Sequence, residues 1–162
     1  MPKILYTIVK DKIQSLRNND FQYFIERIYL IYYNSDFTPM KQKRDKGCDG
    51  IITKDKTILA VYAPEKRDLP SFKKKVQDDH NKYKHNWATN YPNWQVVYNM
   101  SFTASEIQFL DSLKSNTQKI SPDNLMEIFN NLKWTEKKDI TGYLNIDDIY
   151  FLATVHFEKV EG

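Results

Sequence analysis

Asp49 stands in the run Lys46-Gly47-Cys48-Asp49-Gly50, so two of the chain's four glycines flank one short Cys-Asp pair. Glycine serves where the backbone must turn sharply or be closely approached. Here that freedom surrounds a single carboxylate at the mouth of a β-hairpin. The apolar run 57–63 follows and ends in Pro64-Glu65-Lys66. An acid at one strand start, with a second acid and a lysine at the end of the next strand, suits a divalent cation and a phosphate. Magnesium takes oxygen ligands and keeps several waters beside a substrate phosphate. Such an ion activates water and neutralises charge that builds on phosphate oxygens. The plainer alternative is a turn aspartate that caps its own loop.

The second acid is less directly placed. Strand side chains alternate in direction, so a metal-binding acid and its lysine, two residues apart, point the same way. Counted from the hairpin, that pair of positions falls on Tyr62 and Pro64. Pro64 ends the regular strand, which lets Glu65 reach back toward Asp49 and Lys66 clamp a phosphate. An ordinary exposed Glu-Lys pair is the competing reading. Glu26, on a helix flank, is a third candidate ligand, against a merely solvated glutamate. Lys75 can stand in for the lysine missing from the strand, since only the position of its ammonium matters. Asp79 balances the neighbouring lysines, and His80 falls on an apolar stripe, as a half-buried core histidine does. Cys48 has no histidine near it in sequence and reads as a small buried residue.

The composition bounds these options. The chain has 162 residues, 41% of them hydrophobic and 14% aromatic, with 11 tyrosines and a net charge of +3. That is one domain with a core at about 19–115 and a C-terminal extension over 116–162. Lys41, Lys43, Arg44 and Lys46 lie within six residues, opposed only by Asp45, and Lys73-Lys74-Lys75 forms a second knot. Local fields of this kind attract phosphate without a global excess of charge; two solvated patches are the alternative. One cysteine excludes an internal disulfide and a cysteine-built zinc cluster. No apolar run approaches the ~18 residues of a membrane span, and the N-terminus does not read as a signal peptide. A cytoplasmic protein without membrane attachment is the expectation.

The elements follow from periodicity. Leu5, Val9, Ile13 and Leu16 recur at near-helical spacing. Phe21, Phe24, Ile25, Ile28, Ile31 and Tyr32 form a clearer stripe after the capping run Asn18-Asn19-Asp20. A short edge strand over 37–42, limited by Pro39, precedes a hairpin of 50–53 and 57–63. The second hairpin strand is apolar on both faces and so central. Phe72, Val76, His80, Tyr83 and Trp87 mark a helix over 71–88. A buried strand over 94–98 follows. Thr103 to Glu106 is a capping box, and Ser121-Pro122 opens a helix with Leu125, Ile128, Phe129 and Leu132 inside. Beyond Trp134 the pattern weakens, and 147–157 fits helix or strand. Helices on both sides of a mixed sheet make an α/β sandwich.

This order resembles the PD-(D/E)xK, or restriction-endonuclease-like, superfamily over about residues 19–115. The nearest likeness is to a branch found in bacterial defence loci, including ABC-three-component systems. The residues that carry it are Phe21-Gln22, Asp45-Lys46-Gly47-Cys48-Asp49-Gly50, Val61-Tyr62-Ala63-Pro64-Glu65, Lys75-Val76-Gln77-Asp78-Asp79, and Trp94 through Asn99. The resemblance implies Asp49 as the metal ligand, with Glu26 or Gln22 as the helix contribution. The chain departs from the pattern at Tyr62 and Pro64, where (Glu/Gln)-x-Lys stands in the superfamily, and at Arg44, which replaces a glycine.

Two functions follow as expectations. The first is a DNA endonuclease of a prokaryotic defence or mobile-element system, using Mg2+ or Mn2+. Asp49, Glu65 and Glu26 would hold the ion, Lys66 or Lys75 would stabilise the transition state, and Lys41, Lys43, Arg44 and Lys46 would grip DNA. The second is a non-catalytic module of the same fold that docks nucleic acid or a partner protein in a larger complex, since abundant tyrosine favours interfaces. A homodimer, with the aromatics as packing, is a third possibility.

Overall fold

The computed structural model describes residues 3–41 and 46–148. Among them five strands form one mixed sheet in the order β1-β2-β3-β4-β5. They are β1 (Phe37–Pro39), β2 (Gly50–Ile52), β3 (Thr57–Tyr62), β4 (Asn93–Tyr98) and β5 (Gln118–Ile120). The first two pairings are antiparallel, and β3, β4 and β5 run parallel. Among the described residues six α-helices flank the sheet: α1 (Lys3–Ser15), α2 (Asn18–Tyr33), α3 (Leu69–Asn86), α4 (Ala104–Leu113), α5 (Pro122–Asn130) and α6 (Trp134–Tyr143). Among the described residues no helix is long and apolar enough to cross a membrane.

Strand alternation divides the core in two. Leu59, Ala63 and Val97 face α1, α2, α5 and α6, meeting Leu5, Val9, Phe24, Ile28 and Phe129. Ile58, Ala60, Tyr62, Trp94, Val96 and Tyr98 face the opposite layer, meeting Phe72, Val76 and Tyr83 of α3 and Leu110 of α4. β3 is buried along nearly its whole length, as its two-sided apolar pattern requires. Gln95 is one of the buried polar residues of the first layer. Its amide oxygen accepts from the Tyr29 hydroxyl at 2.8 Å and its nitrogen donates to Gln118 at 2.9 Å. A buried amide without such partners would be costly.

In α2 the apolar stripe matches the sequence with one exchange. Tyr29 is fully buried, whereas Tyr32 is 39% exposed. The start of α3 differs more usefully. The helix begins at Leu69, two residues before the expected start, because Asp68 caps it by accepting from the Ser71 N–H at 3.1 Å, with Pro70 in its first turn. The segment after residue 116 is woven into the fold: β5 extends the sheet beside β4, and α5 and α6 bury Leu125, Met126, Phe129 and Ile140 in the first layer. The region 147–157 lies outside the described residues beyond 148.

Candidate functional site: the C-terminal end of the central strands

The hairpin glycines do structural work at two points. Gly47 has φ +81°, and a Cβ there would lie 2.6 Å from Lys82 Cβ and 2.9 Å from the Asp79 carbonyl oxygen. The loop is thereby seated on α3, where the Lys46 carbonyl accepts from the Trp87 indole at 3.2 Å. A Cβ on Gly50 would meet the Phe37 ring at 2.8 Å. Gly47→Ala is expected to cost roughly 1–3 kcal/mol through backbone strain and this contact. A chemical denaturation midpoint equal to wild type would contradict it.

Asp49 is half-buried just before β2 begins, beside the part of β3 that runs on past that strand. Its N–H donates to the Leu59 carbonyl at 2.8 Å. Its Oδ2 accepts from the Val61 N–H at 2.7 Å, and its Oδ1 accepts from Gln22 Nε2 at 3.3 Å. The side chain therefore continues the ladder past the end of β2, giving Val61 an acceptor that no strand residue supplies. Gln22, from α2, is the helix residue brought to Asp49.

The other candidate ligands go elsewhere. Glu65 is exposed, and its Oε1 accepts from Asn18 Nδ2 at 3.0 Å, tying the end of β3 to the start of α2. Glu26 lines a separate groove with Tyr23, Arg27, Leu30, Asp139 and Tyr143, and burial raises its pKa. Among the described residues no three His, Cys, Asp or Glu side chains are grouped to hold a metal ion. Asp49 thus engages an amide and a backbone N–H, Glu65 engages an amide, and Glu26 lines a different groove. His80 lies on the inner face of α3, 4.9 Å ring to ring from Trp94, and burial lowers its pKa. Buried Cys48 donates to the Gly50 carbonyl at 3.3 Å.

What does converge at the end of β3 is aromatic and cationic. Tyr62, Pro64, Phe72 and Tyr98 line a small cavity of about 80 Å³ together with Lys66, Lys75, Asp68 and Ser71. Tyr62 is 2% exposed, its hydroxyl donates to Asp79 Oδ2 at 2.8 Å, and the Lys75 ammonium sits 5.6 Å from its ring centroid. Lys66 and Lys75 are exposed. The floor is held from behind by buried Glu106, which accepts from Arg67, from the Tyr98 hydroxyl at 3.0 Å and from the Thr103 N–H at 2.8 Å. Sequence reasoning missed Phe72, Tyr98, Ser71 and Asp68 as one site; the Asp-x-Pro-Ser start of α3 was the available signal.

Burial, followed by the Glu106 carboxylate, pushes the Tyr98 hydroxyl from 10.0 up to about 12. The fold therefore favours the neutral phenol. That stabilisation is complete below the unfolded value of about 10 and is lost as pH rises toward about 12, an effect of about 3 kcal/mol at most. Denaturation midpoints are expected to fall across that window in wild type and less steeply in Tyr98→Phe; parallel profiles would contradict this.

Positive charge gathers on the same side. α3 carries Lys73, Lys74, Lys75, Lys82 and Lys84 against Asp78 and Asp79, which leaves +3, as much as the whole chain carries. In sequence the 41–46 run holds four cations against one aspartate. Of that run Lys41 and Lys46 are exposed, while Lys43 and Arg44 lie outside the described residues.

Compared with known proteins, the chain is matched by no family model, no curated protein and no solved structure.

Proposed function

We propose that this protein is a nucleic-acid-docking module of nuclease-like architecture that binds through the α3 side without hydrolysing phosphodiesters. The observation that carries the reading is Tyr62. At the strand position where a metal-binding acid is expected, an aromatic ring is buried, its hydroxyl engaged by Asp79 and its face covered by Lys75. The end of the central strand becomes a lysine-rimmed aromatic pocket in place of a carboxylate site. Lysines that track a phosphate backbone, beside aromatic surface, are what single-stranded nucleic-acid binding requires. The resemblance noted in the sequence supports reading it as part of a larger prokaryotic defence complex.

A magnesium-dependent nuclease is the second reading, favoured by the contact that brings Gln22 of α2 to Asp49. Incubation of supercoiled plasmid and labelled oligonucleotides with the protein and Mg2+ or Mn2+ separates the two. The docking reading expects intact substrate. Cleavage by wild type that disappears in Asp49→Ala would replace it with the enzyme.

A further inference from the structure

We propose that the cavity at the end of β3 receives one thymine base of single-stranded DNA, with Lys66 and Lys75 holding the flanking phosphates. This inference rests on the docking reading and names the ligand of that site. Three features select the occupant.

The first is size. The cavity is about 80 Å³, against ~150 Å³ for an apolar cavity that encloses benzene. A single six-membered ring therefore enters part way, edge first, and a fused purine is too large.

The second is polarity. Tyr62, Pro64, Phe72 and Tyr98 supply an apolar floor and walls. Sending a hydrogen-bonding edge into such a floor without partners is costly. Thymine is the DNA base whose leading C5 edge is a methyl group. Entering methyl first, it leaves its carbonyls and N–H at the mouth, near the polar rim of Asp68 and Ser71. Cytosine offers a C–H there and loses the methyl contact.

The third is charge and access. The mouth lies beside two exposed lysines at the C-terminal ends of two adjacent parallel strands, β3 and β4, where α/β sheets bind ligands. A base inside a duplex cannot enter without being unpaired and unstacked, so the site takes single strands.

The test is fluorescence anisotropy with labelled oligo-dT, oligo-dC and oligo-dA of equal length and with a hairpin duplex. Oligo-dT is expected to bind about tenfold more tightly than oligo-dA, with oligo-dC between them and the duplex weaker than oligo-dT. Ser71→Phe, at an exposed position on the rim, should close the mouth and lower the oligo-dT affinity to that for oligo-dA. Lys66→Ala with Lys75→Ala should weaken all oligonucleotides alike. Photocrosslinking of wild-type protein to oligo-dT carrying 5-bromodeoxyuridine, whose bromine replaces the methyl, checks the contact without any variant; the adduct is expected on residues 62–75 or on Tyr98. Equal affinities for dT and dA in wild type, a preference unchanged by Ser71→Phe, or an adduct elsewhere overturns the base pocket while docking stands. Absence of binding to every oligonucleotide overturns both.

Discussion

Replacing Lys66, Lys75 and Lys82 together by alanine should reduce affinity for single-stranded DNA by about tenfold to a hundredfold at moderate salt. Lys66 and Lys75 flank the aromatic cavity, and Lys82 stands two turns further along α3, against Gly47. All three are exposed, so their removal leaves both cores intact. The effect should be electrostatic in kind. Each phosphate neutralised on a single strand contributes ~0.7 to the slope of log affinity against log salt, and the triple variant should lose about 2 units of slope. Glutamine at the same positions should behave as alanine does, and arginine should restore the slope. A triple variant with unchanged slope would mean that nucleic acid, if bound, docks on another face.

Asp49→Ala is expected to destabilise the fold by roughly 1–3 kcal/mol, because it leaves the Val61 N–H half-buried without its acceptor. In a domain of this size the melting temperature should fall by about 2–4 °C for each kcal/mol. Asp49→Asn keeps an oxygen for Val61 and should lose much less. The opposite pattern marks a metal ligand. A carboxylate assembled for a cation is relieved by removal, and Mg2+ would then raise the melting temperature of wild type but not of the variant. The two accounts thus predict shifts of opposite sign from one substitution.

Most of the architecture is written in the spacing of apolar residues. Phe21, Phe24, Ile25 and Ile28, or Phe72, Val76, His80 and Tyr83, identify a buried helix face from sequence, and the structure buries each of them. The two-sided apolar run of β3 announced a central strand. Where the reading fell short, the signal itself was weak. β5 is three residues long and its only apolar member is Ile120, so alternation has nothing to act on. α6 buries Lys137, Ile140 and Thr141, a face with one aliphatic residue, and periodicity passes over it. Lys137 lies over the Trp134 ring at 4.7 Å, which lets a charged residue occupy an inner position.

The site was legible in part for a different reason. Gly47 and Gly50 marked a loop under constraint, and both are needed where they stand. The proximity of Gln22 to Asp49, 27 positions apart, is a tertiary fact that only the resemblance anticipated. Direction of side chains at the end of β3 could not be had from parity once Pro64 broke the strand. There the chain turns Glu65 toward Asn18 and leaves Lys66 at the cavity mouth. The pocket gathers seven residues of the 62–75 stretch, from β3 to the second turn of α3, and adds Tyr98 of β4, which linear spacing does not bring to them.

A labelled single-stranded oligonucleotide is titrated with protein in EDTA and again in Mg2+, and each mixture is then run on a denaturing gel. Binding is expected in EDTA, no tighter in Mg2+, with full-length oligonucleotide throughout. Binding that requires the metal, or shortened products that appear with it, would contradict the docking reading.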